Sequence, residues 1–216
     1  MNFLEICKRV IDEADRDPEL LTTVSLTALE DIQHRRVVGW VRNAYSSLQS
    51  EQRFWRFHHR SGEMFSLSAG VSTAAVLGIK HILKDSFVGR NSNGSSWCLQ
   101  YLDYQEFRQA NRLRLTVSGT PIYLTWKPSE EFEVYPTPRE NITVLGDWFI
   151  ANDVMEINSD EPIWAEDFHE ILVWMALVHY ALTYEIPGLA ARCKEILPRM
   201  KRQFVNRYLD DVQLVY

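Results

Sequence analysis

The stretch VGWVRNAYSSLQSEQRFWRF, Val38 to Phe57, is where the chain changes its hydrophobic period. Leading into it, Leu29, Ile32, Val37, Trp40, Val41, Ala44, Tyr45 and Leu48 recur at the spacing of one helical face. Glu30, Asp31, Arg35 and Arg42 lie mostly off that face, so the spacing predicts a helix over about 27–51. Beyond it the pattern shifts toward period two. Trp97, Leu99 and Tyr101 alternate with Cys98 and Gln100, and Ile122, Leu124 and Trp126 alternate with Tyr123 and Thr125. Residues 141–151, NITVLGDWFIA, read as a strand with a bulge at Gly146. Gly89, Asn91, Asn93, Gly94, Ser95 and Ser96 form a polar turn between strands. A short helix near 103–112 interrupts the region, with Tyr104 and Phe107 turned inward.

Working outward, the helical period returns on both sides. Phe3, Ile6, Cys7, Val10, Ile11 and Ala14 share a face and predict a helix over about 2–16, ended by Asp17-Pro18. Past Pro162 a third helix is expected over about 164–185, and its run ILVWMALVHYAL is apolar nearly all round, as in a helix covered on several sides. A fourth helix is expected over about 188–209, striped by Leu189, Cys193, Leu197, Met200, Phe204 and Tyr208 and kinked at Pro198. The expected fold is α+β, an antiparallel helical bundle of four main helices with a central inserted β-sheet lobe. Residues 1–52 and 156–210 form the two helical halves, 53–155 the lobe and 211–216 a C-terminal tail.

With 216 residues, 46% hydrophobic and 24% charged, the chain has globular composition and enough length for a sizeable core. Seven Trp residues point to large buried surfaces, within a subunit or between subunits. The net charge of −6 weighs against a dedicated nucleic-acid binder and suits a surface that DNA slides past. Cys7, Cys98 and Cys193 are too scattered for a disulfide framework or a zinc site. No signal peptide is expected at the start, and Ile171–Leu182 is too short to span a bilayer.

Catalytic signatures are lacking: no phosphate loop, GxSxG, HExxH or paired CxxC occurs. His58 and His59, adjacent on a strand, would point to opposite faces and not share a metal. His169 and Glu170 with Glu166 have a spacing that can hold a cation, but solvated charges at a helix start explain them more simply. His179, within the apolar run, reads as a core histidine bonded to a backbone or hydroxyl group. No catalytic residue, cofactor or metal is therefore expected. Two basic clusters remain. Arg53, Arg56, His58, His59 and Arg60 are interleaved with Phe54, Trp55 and Phe57, and Arg192, Lys194, Arg199, Lys201, Arg202 and Arg207 lie on the last helix. Aromatic plugging of the core is favoured for the first. A solvated face, or one meeting an acidic partner, is favoured for the second.

The layout resembles the head-to-tail connector, or adaptor, proteins of tailed-bacteriophage necks. FLEICKRVIDEA (Phe3–Ala14) looks like the family's first helix, and Val38–Phe57 resembles its long helix entering the β lobe. WCLQYLDYQEFRQ (Trp97–Gln109), PIYLTW (Pro121–Trp126), VYPTP (Val134–Pro138), EDFHEILVWMALVHYA (Glu166–Ala181) and Leu189–Leu209 continue the likeness. The resemblance implies a virion structural protein rather than an enzyme: a ring of identical copies, commonly twelve, beneath the portal protein. Such a ring is assembled in the host cytoplasm, extends the channel for packaged DNA and carries tail or nozzle proteins. It involves no membrane. It implies portal contact through the last helix and tail, with Lys201, Arg202, Arg207, Tyr208, Val212, Leu214, Val215 and Tyr216 as candidates. Trp40, Trp55, Trp164 and Trp174 are candidates for contacts between copies. The competing expectations are a nucleic-acid-binding helical module and a metal-dependent hydrolase using His58, His59 or His169.

Overall fold

The computed structural model describes residues 1–14, 16, 18–111 and 117–209. Helix and sheet are both present, so the fold is α+β. The chain runs through α1 (Phe3–Glu13), α2 (Ile32–Ser50), β1 (His59–Leu67), β2 (Thr73–Ala75), β3 (Ile79–Ile82), β4 (Val88–Asn91), β5 (Ser96–Cys98) and β6 (Gln100–Tyr101). It continues through α3 (Tyr104–Asn111), β7 (Ser118–Gly119), β8 (Tyr123–Trp126), β9 (Glu131–Tyr135), β10 (Thr137–Pro138), β11 (Ile142–Ile150), α4 (Glu170–Thr183) and α5 (Pro187–Tyr208). Two compact units result: Met1–Phe57 with Asn152–Tyr216, and His58–Ala151.

In the first unit α4 is the hub, packed against α1, α2 and α5. α1 starts at a reciprocal capping box. Glu5 N donates to Asn2 Oδ1 at 2.9 Å, and Asn2 N donates to Glu5 Oε2 at 2.8 Å. Its stripe Phe3, Ile6, Cys7, Val10 and Ile11 is buried. α2 begins later than its apolar spacing suggests. Asp31 caps it, its Oδ1 accepting from Gln33 N at 2.5 Å and His34 N at 3.3 Å, and a turn around Ser25–Ala28 precedes it. A 3-10 turn over Glu166–Phe168 leads into α4. α5 opens with Pro187 at its first position and runs on through Pro198.

His179 departs from expectation: it is exposed, and Leu182 beside it is 68% exposed. α4 is covered on its Ile171, Leu172, Trp174, Leu177 and Tyr180 sides, but its last two turns keep one flank open. A helix of near-uniform apolarity carries no periodic signal to mark that flank.

In the second unit β11 organises the larger sheet. It pairs antiparallel with β1 along one edge and with β4 and β3 along the other, and β5 extends β4. β2, β9, β8 and β6 form a second sheet, and β7 pairs with β10. Phe132 is fully buried at the centre, with its ring 4.8 Å from Phe65, 5.5 Å from Phe87 and 4.6 Å from Trp126. The irregularity expected at Gly146 lies on the partner strand. The register slips between Arg60 and Glu63, and Asp147 Oδ1 accepts from Gly62 N at 2.7 Å and the Ser61 hydroxyl at 3.1 Å. Gly146 is needed for another reason, since a Cβ there would come within 2.3 Å of the Phe87 ring. Strict alternation breaks around β8: Ile122, just before it, is 48% exposed, whereas Thr125 within it is fully buried. α3 turns Phe107 into the unit at 3% exposure.

Candidate assembly surfaces

The end of the first unit is an aromatic cluster. Trp55 is fully buried, and its Nε1 donates to Leu48 O at 3.1 Å. Phe57 stacks on Trp55 at 5.4 Å, and Phe204 meets Trp55 and Trp164 edge-on, each at 5.1 Å. Tyr208 packs on Phe57, Phe168 and Phe204, and its hydroxyl accepts from Ala165 N at 2.9 Å. Among the candidates for contacts between copies, Trp55, Trp164 and Trp174 are 0%, 4% and 4% exposed and fill the subunit's own core. Trp40 is half-buried.

The portal-contact candidates divide as well. Lys201 is paired with Glu51, and Tyr208 is tied into the aromatic cluster. Arg202 and Arg207 are exposed on α5. Val212, Leu214, Val215 and Tyr216 lie outside the described residues. Along the same helix Arg192 pairs with Glu13 at 3.1 Å and lies 5.0 Å from the Trp174 ring centroid, while Lys194 and Arg199 face solvent. In the other basic cluster the Arg53 guanidinium lies over the Phe54 ring, and Arg56 is exposed.

His58 is buried and His59 half-buried. His169 is 2% exposed and bound into the fold: Nε2 is 3.0 Å from Trp164 O, and Nδ1 is 2.8 Å from Met1 O and 3.0 Å from Met1 N. Glu166 also accepts from Met1 N at 2.8 Å, which holds its carboxyl below the usual carboxylate range. Among the described residues no three His, Cys, Asp or Glu side chains come together in a metal-holding group. Burial pushes the Cys7 and Cys193 thiols up. A small cavity in the second unit lies among Trp97, Pro121, Pro138, Arg139 and Ile142. Two of its polar neighbours are engaged, with Trp97 Nε1 donating to Pro121 O at 2.6 Å and Arg139 Nε to Ser118 O at 2.9 Å. Among the described residues no helix is long and apolar enough to cross a membrane.

A feature with no periodic signal is the segment returning from the second unit. Asn152–Ala165 has no regular structure, yet α2 clamps it. Arg42 donates to Met155 O and Glu156 O, each at 3.1 Å, and the Tyr45 hydroxyl donates to Asp153 Oδ2 at 3.0 Å and accepts from Ile163 N at 3.2 Å. Gln49 pairs with the Asp153 backbone. Asp160 closes a turn by accepting from Glu156 N at 2.6 Å and Ile157 N at 2.9 Å, and these amides hold its carboxyl below the ordinary aspartate range. Burial pushes the Tyr45 phenol up.

Residues 1–212 match the sequence model of one protein family, described as SU10 adaptor protein. The chain belongs to that family. The SU10 adaptor proteins are a phage head–tail adaptor family, so the chain has a structural role in the phage particle and works through contacts with portal and tail proteins in general. None of the individually curated proteins matches it. In this SU10 adaptor α2, α5 and the Asn152–Ala165 segment all carry exposed residues.

Proposed function

We propose that this SU10 adaptor forms a ring of twelve copies in the phage neck, directly beneath the portal protein. The ring extends the DNA channel and supplies the attachment site for tail or nozzle proteins. In this reading the four helices α1, α2, α4 and α5 form an antiparallel bundle, and the β unit is a lobe inserted in it. The observation that carries it is the family match over residues 1–212. The exposed cations Arg202 and Arg207 at the end of α5 support portal docking through Lys201–Tyr216, with Val212, Leu214, Val215 and Tyr216 as its apolar tip. Packaged DNA passes without specific binding, consistent with the net charge of −6.

The test is to mix the purified protein with the portal protein of the same phage, size the mixture and image it by negative stain. A stacked double ring that is lost on deleting 211–216 is the expected result. A stack that survives the deletion moves the docking contact elsewhere, and no association sinks the portal role.

A further inference from the structure

α2 has two outer flanks of opposite character. On one, Ile32 is 63% exposed, Arg36 is exposed and forms no ion pair among the described residues, and Trp40 is half-buried, edge-on to Tyr180 at 5.9 Å and Tyr184 at 6.3 Å. Trp and Arg beside exposed aliphatic surface are the side chains that anchor protein interfaces.

The other flank is the clamped segment. Gln49, which holds it, follows Trp40 by nine residues, roughly half a turn around the helix axis at about 100° per residue. Outward from the clamp, Val154 is 64% and Ile157 61% exposed. The carboxylates of Glu156 and Glu161 are exposed and unpaired among the described residues. One flank therefore offers apolar surface with a cation, and the other offers apolar surface with two anions.

We propose that these flanks meet between copies, Ile32, Arg36 and Trp40 of one against Val154, Glu156, Ile157 and Glu161 of the next. This rests on the ring reading above and names the surfaces that build the ring. The occupant is a second copy because one chain carries both complementary halves. Two different patches make a heterologous, head-to-tail contact, and such contacts repeated about an axis close a ring.

The experiment is native mass spectrometry and sedimentation of the full chain, alone and with the portal protein. Arg36→Glu, and separately Glu156→Arg with Glu161→Arg, should each weaken self-association tenfold or more while leaving the melting temperature unchanged. Mixing the two variants should restore rings in which they alternate, because the unaltered flanks pair at one contact and the two charge-reversed flanks pair at the next. All three substitutions in one chain should restore the ring. Rings that tolerate either variant, or a triple variant without rescue, overturn the inference and leave the ring itself standing. Rings that persist in Arg36→Glu while portal stacking is lost assign that flank to the portal and overturn it too. A wild-type chain that never forms a ring removes the underlying reading, and the inference falls with it.

Discussion

Gln49 and Asp153 bond to each other twice: Asp153 N donates to Gln49 Oε1 at 2.8 Å, and Gln49 Nε2 donates to Asp153 O at 2.9 Å. The side-chain amide thus serves one residue of an irregular segment as a neighbouring strand would. Gln49 is fully buried, so Gln49→Ala leaves two backbone groups without their partner. A loss of about 2–6 kcal/mol is expected, at about 1–3 kcal/mol for each orphaned group. Denaturant unfolding checks the magnitude. Hydrogen exchange should quicken first over Asn152–Asn158, and unchanged exchange there contradicts the clamp.

Gly146 is irreplaceable for steric reasons. Its conformation is ordinary, but the Phe87 ring occupies the place of a side chain. Gly146→Ala should destabilise the second unit by about 1–3 kcal/mol or more, the usual cost of overpacking. Adding Phe87→Leu should return part of that loss by opening space at the same contact. Unfolding of the three variants decides it, and strict additivity contradicts a direct clash.

Asp160 makes stability depend on acid in a defined window. Its folded pKa is depressed, chiefly by the Ile157 amide and then by the Glu156 amide, so the unfolded chain binds its proton more readily. The contribution is present above the unfolded aspartate value of about 3.9 and is lost as pH falls through the folded value below it. Asp160→Asn should therefore lower the melting temperature at neutral pH, and the difference should shrink toward zero at strongly acid pH. A difference independent of pH removes the electrostatic explanation.

The three thiols should separate by burial. Cys98 is exposed on β5, whereas Cys7 and Cys193 are buried. Titration of native protein with a thiol reagent should show one fast group, absent in Cys98→Ser, and two that react only on unfolding. Fast reaction of two or three groups in the native protein contradicts the packing of α1 and α5.

The helices were legible because their stripes are local. Phe3, Ile6, Cys7, Val10 and Ile11 repeat at the helical spacing and are buried. The start of α2 was less legible, since Leu29 continues the apolar stripe while Asp31 sets the cap. The exposure of His179 could not be read from a run with no polar face, and the buried Thr125 defeats alternation from the opposite side. The slip between Arg60 and Glu63 depends on pairing with a strand some eighty residues later, so a likely-looking glycine drew the bulge to the wrong strand. The clamp on Asn152–Ala165 has no periodicity, because Arg42, Tyr45 and Gln49 supply its order from far along the chain. As for the assembly surfaces, aromatic content marked the Trp residues without telling inside from outside, and three of the four lie within the core.

The pairing of β1 with β11 bears on how the polypeptide leaves the ribosome. Strand His59–Leu67 has its partner at Ile142–Ile150, and α1 and α2 need α4, which starts at Glu170. Neither unit can close while the early part of the chain alone has emerged, and pairings so distant in sequence form slowly. Through much of translation the nascent chain therefore carries open strand edges and uncovered helix faces, the surfaces that invite aggregation. Slow synthesis or a chaperone holding the first half of the chain should raise the yield of soluble adaptor more than any change to its finished surface.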